Sequence, residues 1–485
     1  MTEKQTYING YAMPMRRNST STDSYTSSMR RDSTVASIGF STDAFQLETG
    51  VSQHLSTENG HPAAADFNFF DFNNYQPEAQ PELAYVPADE NDQRLLDHFV
   101  ENVLPILFPI LDLNLDGAVR RDVILPALAN NECYRSCCLS IAALHLKATQ
   151  GLQGEWIDQD ITRHRYATIS GLCQALEKDT DHLQILEATI GMILFQCSVG
   201  TSDDSLPDIP WHQHFQAVAS LVNKLDLPRF LQPLSQSIHP PPSVNMTLTA
   251  WIDILGATMI GRAPQFADTY REKHLSNGQS GLREMMGCDD RVMYLISEIA
   301  CLEALKNDGM LSDMELCDHV QSLAYQIDLT EPSIEQQMAM SQLPIVSTSG
   351  HLDTRQLTRA TTDAFRYAAR IYLCSLVPGF DPQQPQVMEL LNKLTYCLES
   401  IPAGPDGFDR SLVWVLLIGG SVATPGSLFK GFFESRCDAL GDAARYGSFG
   451  RMQKILDVLW ERRDNGLETT WREVMESNQW DFLLI

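Results

Sequence analysis

The sequence predicts an all-α protein, a large irregular multi-helix domain behind a disordered N-terminal tail. Three observations carry that prediction. From Asp92 onward apolar residues recur at helical spacing, while alternating strand patterns bounded by hairpin turns are absent. Residues 1–65 are rich in Ser, Thr, Asn and Gly and hold no lasting periodicity. A segment of that kind cannot bury enough apolar surface to offset its ordering entropy.

In chain order, residues 66–91 come next, beginning DFNFFDFNNYQPEAQPELAY. Phe67, Phe69, Phe70, Phe72 and Tyr75 stand among aspartates and asparagines, which is the composition of acidic activation segments. The alternative is a strap whose aromatics dock onto the adjoining domain. Leu95, Leu96, Phe99, Val103 and Leu104 then mark a first helix that Pro105 and Pro109 kink or end. A second helix is expected from about Pro126 to Thr149. Others follow near 159–178, 181–199, 211–225, 248–261, 288–306, 311–328, 354–376, 385–399, 408–421, 426–440 and 447–463. Proline and glycine clusters punctuate them, among them LPDIP at 206–210, HPPP at 239–242 and IPAGPDG at 401–407. The loop from Ser333 to Gly350 is expected to be the mobile segment within the domain. No repeat of fixed period appears, so a regular solenoid is not supported.

The formal net charge of the 485 residues is −27, and the densest basic spots are pairs such as Arg120-Arg121 and Arg462-Arg463. A surface this acidic repels nucleic-acid phosphate, so free-standing DNA binding is not expected. The eleven cysteines begin at Cys133 and are widely spaced. With no apolar leader in the N-terminal residues, they read as reduced, buried thiols of an intracellular protein. The most apolar stretches, Ile185 to Gly200 and Leu412 to Ala423, are shorter than the ~20 residues that cross a bilayer, so no membrane partner is expected.

Candidate chemistry is sparse. Asp112, Asn114, Asp116 and Gly117 begin like a calcium loop, but the closing position is Val123 rather than a carboxylate, which leaves a helix-to-helix turn as the better account. Cys133, Cys137 and Cys138 lack the paired knuckles of a zinc site. His212 and His214 are two apart and diverge on a helix, with His214 placed on the inner face beside Phe215, Val218 and Leu221. Dinucleotide, Walker A, HExxH and GxSxG patterns are missing, and YGSFG at 446–450 has the wrong spacing for the last. Neither an enzyme nor a cofactor is expected. Ser19 and Ser33 each follow a pair of arginines as R-R-x-S, the arrangement a basophilic kinase requires of open chain.

From the third helix on, the text resembles the fungal-specific transcription factor domain, in the second of two related families. The resemblance spans about 92–485. It rests on CYRSCCLSIAALHLKAT (133–149), HRYATISGLCQAL (164–176), ILEATIGMILFQCSVG (185–200), PWHQHFQAVASLVNKL (210–225) and LTAWIDILGATMIGRAP (248–264). Further on it rests on ATTDAFRYAARIYLCSLV (360–377), LVWVLLIGGSVA (412–423), and ILDVLWERRD followed by TTWREVM (455–475). Within the family the text is nearest to regulators of sexual, fruiting-body development. The resemblance implies a nuclear regulator of transcription with an all-α regulatory domain, partnered by other regulators or coactivators, in homo- or hetero-dimers, and sometimes by a small-molecule effector. It also implies a six-cysteine zinc cluster ahead of that domain. Residues 1–132 hold no cysteine, so the cluster is expected either to have been lost or to lie in a longer protein, with DNA reached indirectly or through that missing module. The alternative reading is a helical effector-binding or scaffold protein with no role at promoters.

Overall fold

The computed structural model describes residues 88–114, 119–150, 154–200, 210–227, 244–332, 344–346 and 350–485. Among these, every regular element is helical, and a single antiparallel bridge between Val346 and Leu352 is the only β pairing. The expected tail of residues 1–65, and the segment from 66 to 87, lie outside the described residues. Most of the Ser333–Gly350 loop does too.

The first helix, α1 (Ala88–His98), starts four residues before the expected boundary at 92. Its turns widen to π-helix over Phe99–Val103 and continue through Leu104–Leu107. Phe108, at φ −135° and ψ 56°, breaks the run, and Pro109 then opens α2 (Pro109–Asn114). Pro105 sits in a first turn, where its missing N–H costs nothing. The helix expected from Pro126 to Thr149 is two helices, α3 (Leu125–Asn130) and α4 (Glu132–Gln150). Asn131 separates them in an extended conformation. Its side-chain oxygen accepts the Tyr134 N–H at 3.0 Å, and its amide donates to the Gln184 carbonyl at 2.8 Å. The polar run Asn130-Asn131-Glu132 marks this break, since asparagine favours local side-chain bonds over helix interior.

Then come α5 (Glu155–Lys178), α6 (His182–Ser198) and α7 (Trp211–Lys224); α5 and α6 pack on α4, and α7 packs on α6. Helix α8 (Val244–Ile260) is buried without a break from Met246 to Met259. Its apolar residues have no polar stripe to leave in water, so neighbours must cover every side. Two short helices, α9 (Ala267–Leu275) and α10 (Leu282–Met286), lead to α11 (Asp290–Asn307) and α12 (Asp313–Asp328). Helix α13 (Thr354–Ser375) pairs with α14 (Pro385–Glu399), and α15 (Val413–Val422) runs buried beneath α16 (Leu428–Leu440) and α17 (Gly447–Asp464). The closing helix is α18 (Trp471–Ser477). No helix of the described residues is long and apolar enough to cross a membrane.

Aromatic rings knit the centre. Trp251 of α8 meets Phe365 of α13 edge-on at 5.6 Å, and Phe365 stacks on Trp414 of α15 at 5.8 Å. The Trp414 indole N–H donates to Thr258 Oγ1 at 2.8 Å, so the ring's polar edge is satisfied in the core. Contacts also join the two ends of the domain. The Tyr446 hydroxyl donates to the Ala148 carbonyl at 3.0 Å, and Ser448 Oγ lies 3.1 Å from the Cys197 carbonyl and 3.2 Å from that of Leu483.

Asp253, on α8, is buried with its carboxylate accepting the N–H of Gln265 (2.8 Å), the N–H of Phe266 (2.9 Å) and the Tyr270 hydroxyl (2.8 Å). Burial raises its pKa from 3.8 to about 6, against the pull of those three donors. The folded protein therefore holds this proton in the window between about 4 and 6, where the unfolded chain has released it. Its contribution to stability grows as pH falls through that window and is lost as pH rises through about 6. Urea unfolding of wild type and Asp253→Asn across pH 4–7 should show this component in the wild type and its absence in the variant.

Candidate functional site

The described surface carries two large clefts. The first holds about 1370 Å³ between α13, α14 and α16. Each cation along it is already answered. Arg359 faces Asp363, Lys393 pairs with Glu389 at 2.8 Å, and Arg436 pairs with Asp409 at 3.0 Å. Arg436 also donates to the Leu398 and Ile401 carbonyls, so it closes the C-terminal end of α14.

The second cleft holds about 860 Å³, within the ~300–1,000 Å³ typical of pockets for small organic molecules. It opens where the C-terminal ends of α11 and α13 meet the α15–α16 connection, α17 and α18. Its buried carboxylate is Glu303 of α11, only 4 % exposed. Glu303 accepts from Arg472 Nη1 and Nη2, the latter at 2.6 Å, and from the Tyr372 hydroxyl. Arg472 also donates from Nε to the Thr258 carbonyl at 3.2 Å, which ties α18 to α8, α11 and α13 at one point. Burial works against the arginine's charge, but Tyr372 and Glu303 beside it raise its pKa above the ordinary value. A capping box starts α18 just before this residue. Thr470 and Glu473 satisfy each other's backbone, which fixes the direction in which Arg472 leaves the helix.

The wall formed by α17 differs. Trp460 donates its indole N–H to the Gly420 carbonyl at 2.9 Å, and Lys430 lies over its ring at 4.7 Å. One turn on, Arg463 donates to the Ser421 carbonyl at 2.6 Å and the Thr469 carbonyl at 3.1 Å. Burial alone lowers its pKa. Neither Lys430 nor Arg463 forms an ion pair with a carboxylate of the described residues.

The candidate residues of the sequence distribute as follows. Ser19, Ser33, Phe67, Phe69, Phe70, Phe72 and Tyr75 lie outside the described residues, as do Asp116 and Gly117 of the calcium-like stretch. Asp112 and Asn114 fall within helix α2, not in a loop. His214 is buried with Phe215, Val218 and Leu221 on the inner face of α7. His212 points elsewhere, its Nδ1 3.2 Å from Asp481. Cys137, Cys138, Cys197, Cys288 and Cys301 are buried, whereas Cys317 is exposed on the solvent face of α12 and the other five are half-buried. Burial of every cysteine is thereby corrected, because α12 packs only one side against α11 and α13.

Two features join residues far apart in the sequence. His98 Nε2 lies 3.0 Å from His145 Nδ1, joining α1 to α4. Burial, His98 and Arg410 push the His145 pKa down to about 4, so this pair is a neutral hydrogen bond at physiological pH. Glu303 and Arg472 stand 169 residues apart, and only the T-x-x-E pattern at Thr470 hinted that α18 exists.

Comparison with known proteins supplies what the clefts alone do not. The family model described as fungal specific transcription factor domain matches residues 94–485. Transcriptional regulatory protein pro1 of Neurospora crassa is 48% identical over 515 aligned residues, covering 100% of this chain and 72% of that protein. Pestheic acid cluster transcriptional regulator 3 of Pestalotiopsis fici is 21% identical over 455 residues, covering 83% of this chain and 76% of that protein. Transcription factor dibT of Pestalotiopsis microspora is 22% identical over 245 residues, 47% of this chain and 38% of its own length. No solved structure matches. The family and these names point to a regulator and not to an enzyme. With a family match over residues 94–485 and a relative 48% identical that covers the whole of this chain, the chain belongs to the fungal specific transcription factor domain family and is a regulator of transcription.

Proposed function

We propose that this regulator works in the nucleus, with residues from about 92 to 485 as its regulatory domain and the segment ahead of them as its activating and modifiable part. The observation that carries the reading is the family match over 94–485, which coincides with one continuous hydrophobic core from Leu95 to Leu484. The domain meets other regulators or coactivators, as one partner of a homo- or hetero-dimer. It reaches promoters through such a partner or through a zinc cluster outside the sequence given. The resemblance, within the family, to regulators of sexual, fruiting-body development suggests the same role for this chain. Phosphate on Ser19 or Ser33 would turn weakly basic patches acidic and change which partners dock there.

Purification of the tagged full chain from fungal nuclei checks this reading. Enrichment in the nuclear fraction is expected, with co-purifying regulators and phosphopeptides at Ser19 and Ser33. A purely cytosolic distribution would overturn the nuclear assignment, and label confined to other serines would overturn the kinase sites. Residues 1–90 fused to a foreign DNA-binding domain should drive a reporter. Alanine at Phe67, Phe69, Phe70 and Phe72 should cut that output about tenfold or more, because the rings supply the docking contacts while Asp66 and Asp71 keep them in solution. A silent wild-type fusion would favour the docked strap.

A further inference from the structure

We propose that the cleft between α11, α13, α17 and α18 binds an amphipathic organic monoanion, its acid group on Lys430 and Arg463 and its apolar body against Trp460 and Phe380. The chain has 35 basic residues against 62 acidic ones, so a cation has many carboxylates available to it. Cations in the neighbouring cleft all use them. Lys430 and Arg463 do not, although both are half-buried and both line this one cavity. Holding a guanidinium away from water without an anion costs free energy that a bound acid would recover.

The geometry favours a planar or extended apolar body. The Trp460 ring is held by its bond to Gly420, and Lys430 lies over its face, so the ammonium sits directly beside the cleft's apolar surface. Arg463 lies three residues further along α17 and so shares that helix face. It spends donors on two carbonyls, and a guanidinium has five N–H groups, so donors remain for an acid. Leu376, Ile418 and Val422 close the apolar floor.

The carboxylates lining the cleft define the charge it accepts. Glu303 is consumed by Arg472 and Tyr372, Glu473 by the α18 cap, and Asp381 accepts the Gln383 N–H at 2.8 Å. Asp464 and Glu468 are exposed at the mouth. Two half-buried cations without a carboxylate partner, beside the exposed Lys306, Asp464 and Glu468, suit a single negative charge on a mostly apolar molecule, and disfavour phosphates and polycarboxylates.

The test uses the full chain and two fluorescent probes of similar aromatic shape, 1-anilinonaphthalene-8-sulfonate, a monoanion, and N-phenyl-1-naphthylamine, which is uncharged. The sulfonate should bind, and decanoate should displace it where decanol does not. Lys430→Gln should weaken sulfonate binding about tenfold, the scale of one charge-assisted hydrogen bond, and leave the uncharged probe within twofold. Lys430→Glu should abolish it. Because Arg463 also holds two carbonyls, Arg463→Gln is read only beside its unfolding curve, and the partly exposed Lys430 carries the decision. Sulfonate binding unchanged in both Lys430 variants would overturn the proposal. So would displacement by decanol as effective as by decanoate, or no binding by wild type.

Discussion

Arg472→Leu lowers the unfolding free energy by about 3–5 kcal/mol, the range for stripping one partner from a buried ion pair. The substitution leaves Glu303 at 4 % exposure with only the Tyr372 hydroxyl for company, and the Thr258 carbonyl loses its donor. Most of that loss is the stranded carboxylate, not the value of the pair itself. Arg472→Leu combined with Glu303→Leu should therefore be more stable than Arg472→Leu alone by about 2 kcal/mol or more. Urea unfolding followed by far-ultraviolet circular dichroism measures both. A single variant within 1 kcal/mol of wild type would show that water reaches Glu303 readily.

Gly420→Val is expected to cost about 1–3 kcal/mol for the opposite reason, excess volume. A Cβ at Gly420 would stand 2.5 Å from Leu456 Cδ1 and 2.7 Å from Cδ2, and Leu456 is itself fully buried on α17. The neighbouring Gly419 is equally tight, 2.5 Å from the Phe429 ring. These glycines let α15 lie close against α16 and α17, which also brings the Gly420 carbonyl to the Trp460 indole. Leu456→Ala should restore part of the stability of Gly420→Val, as the cavity it opens receives the added methyls. Failure of that rescue in thermal unfolding would place the strain in the backbone, since glycine in a helix interior also changes propensity.

The helical fold was legible because its strongest signals are local. Helix α14 begins at Pro385 and ends at Glu399 as its periodicity and flanking prolines indicate, and α13 differs from expectation only at its last residue. What escaped were elements too short to show a period, such as α9, α10 and α18, and the break that the polar run Asn130-Asn131-Glu132 makes between α3 and α4. The cleft was not legible at all. Lys430 and Arg463 are 33 positions apart and look like ordinary surface cations until α16 and α17 bring them to one cleft. Glu303 reads as a solvated residue on an amphipathic helix until Arg472 arrives. Such sites depend on non-local geometry, which spacing along a chain does not encode.

Closure of Tyr446 on Ala148 and of Ser448 on Cys197 spans 298 and 251 positions of the chain. On a ribosome adding roughly 5–20 residues per second, the apolar faces of α4 and α6 would wait about 15–60 s for the residues that finish covering them. During that interval they are sticky surfaces on a nascent polypeptide, and loop closures of this length rank among the slow steps of folding. Supply of this regulator in the cell is thus expected to depend on holdase chaperones and on translation speed through the region before Tyr446. A change in either would alter the dose of regulator without touching any residue that reads a signal.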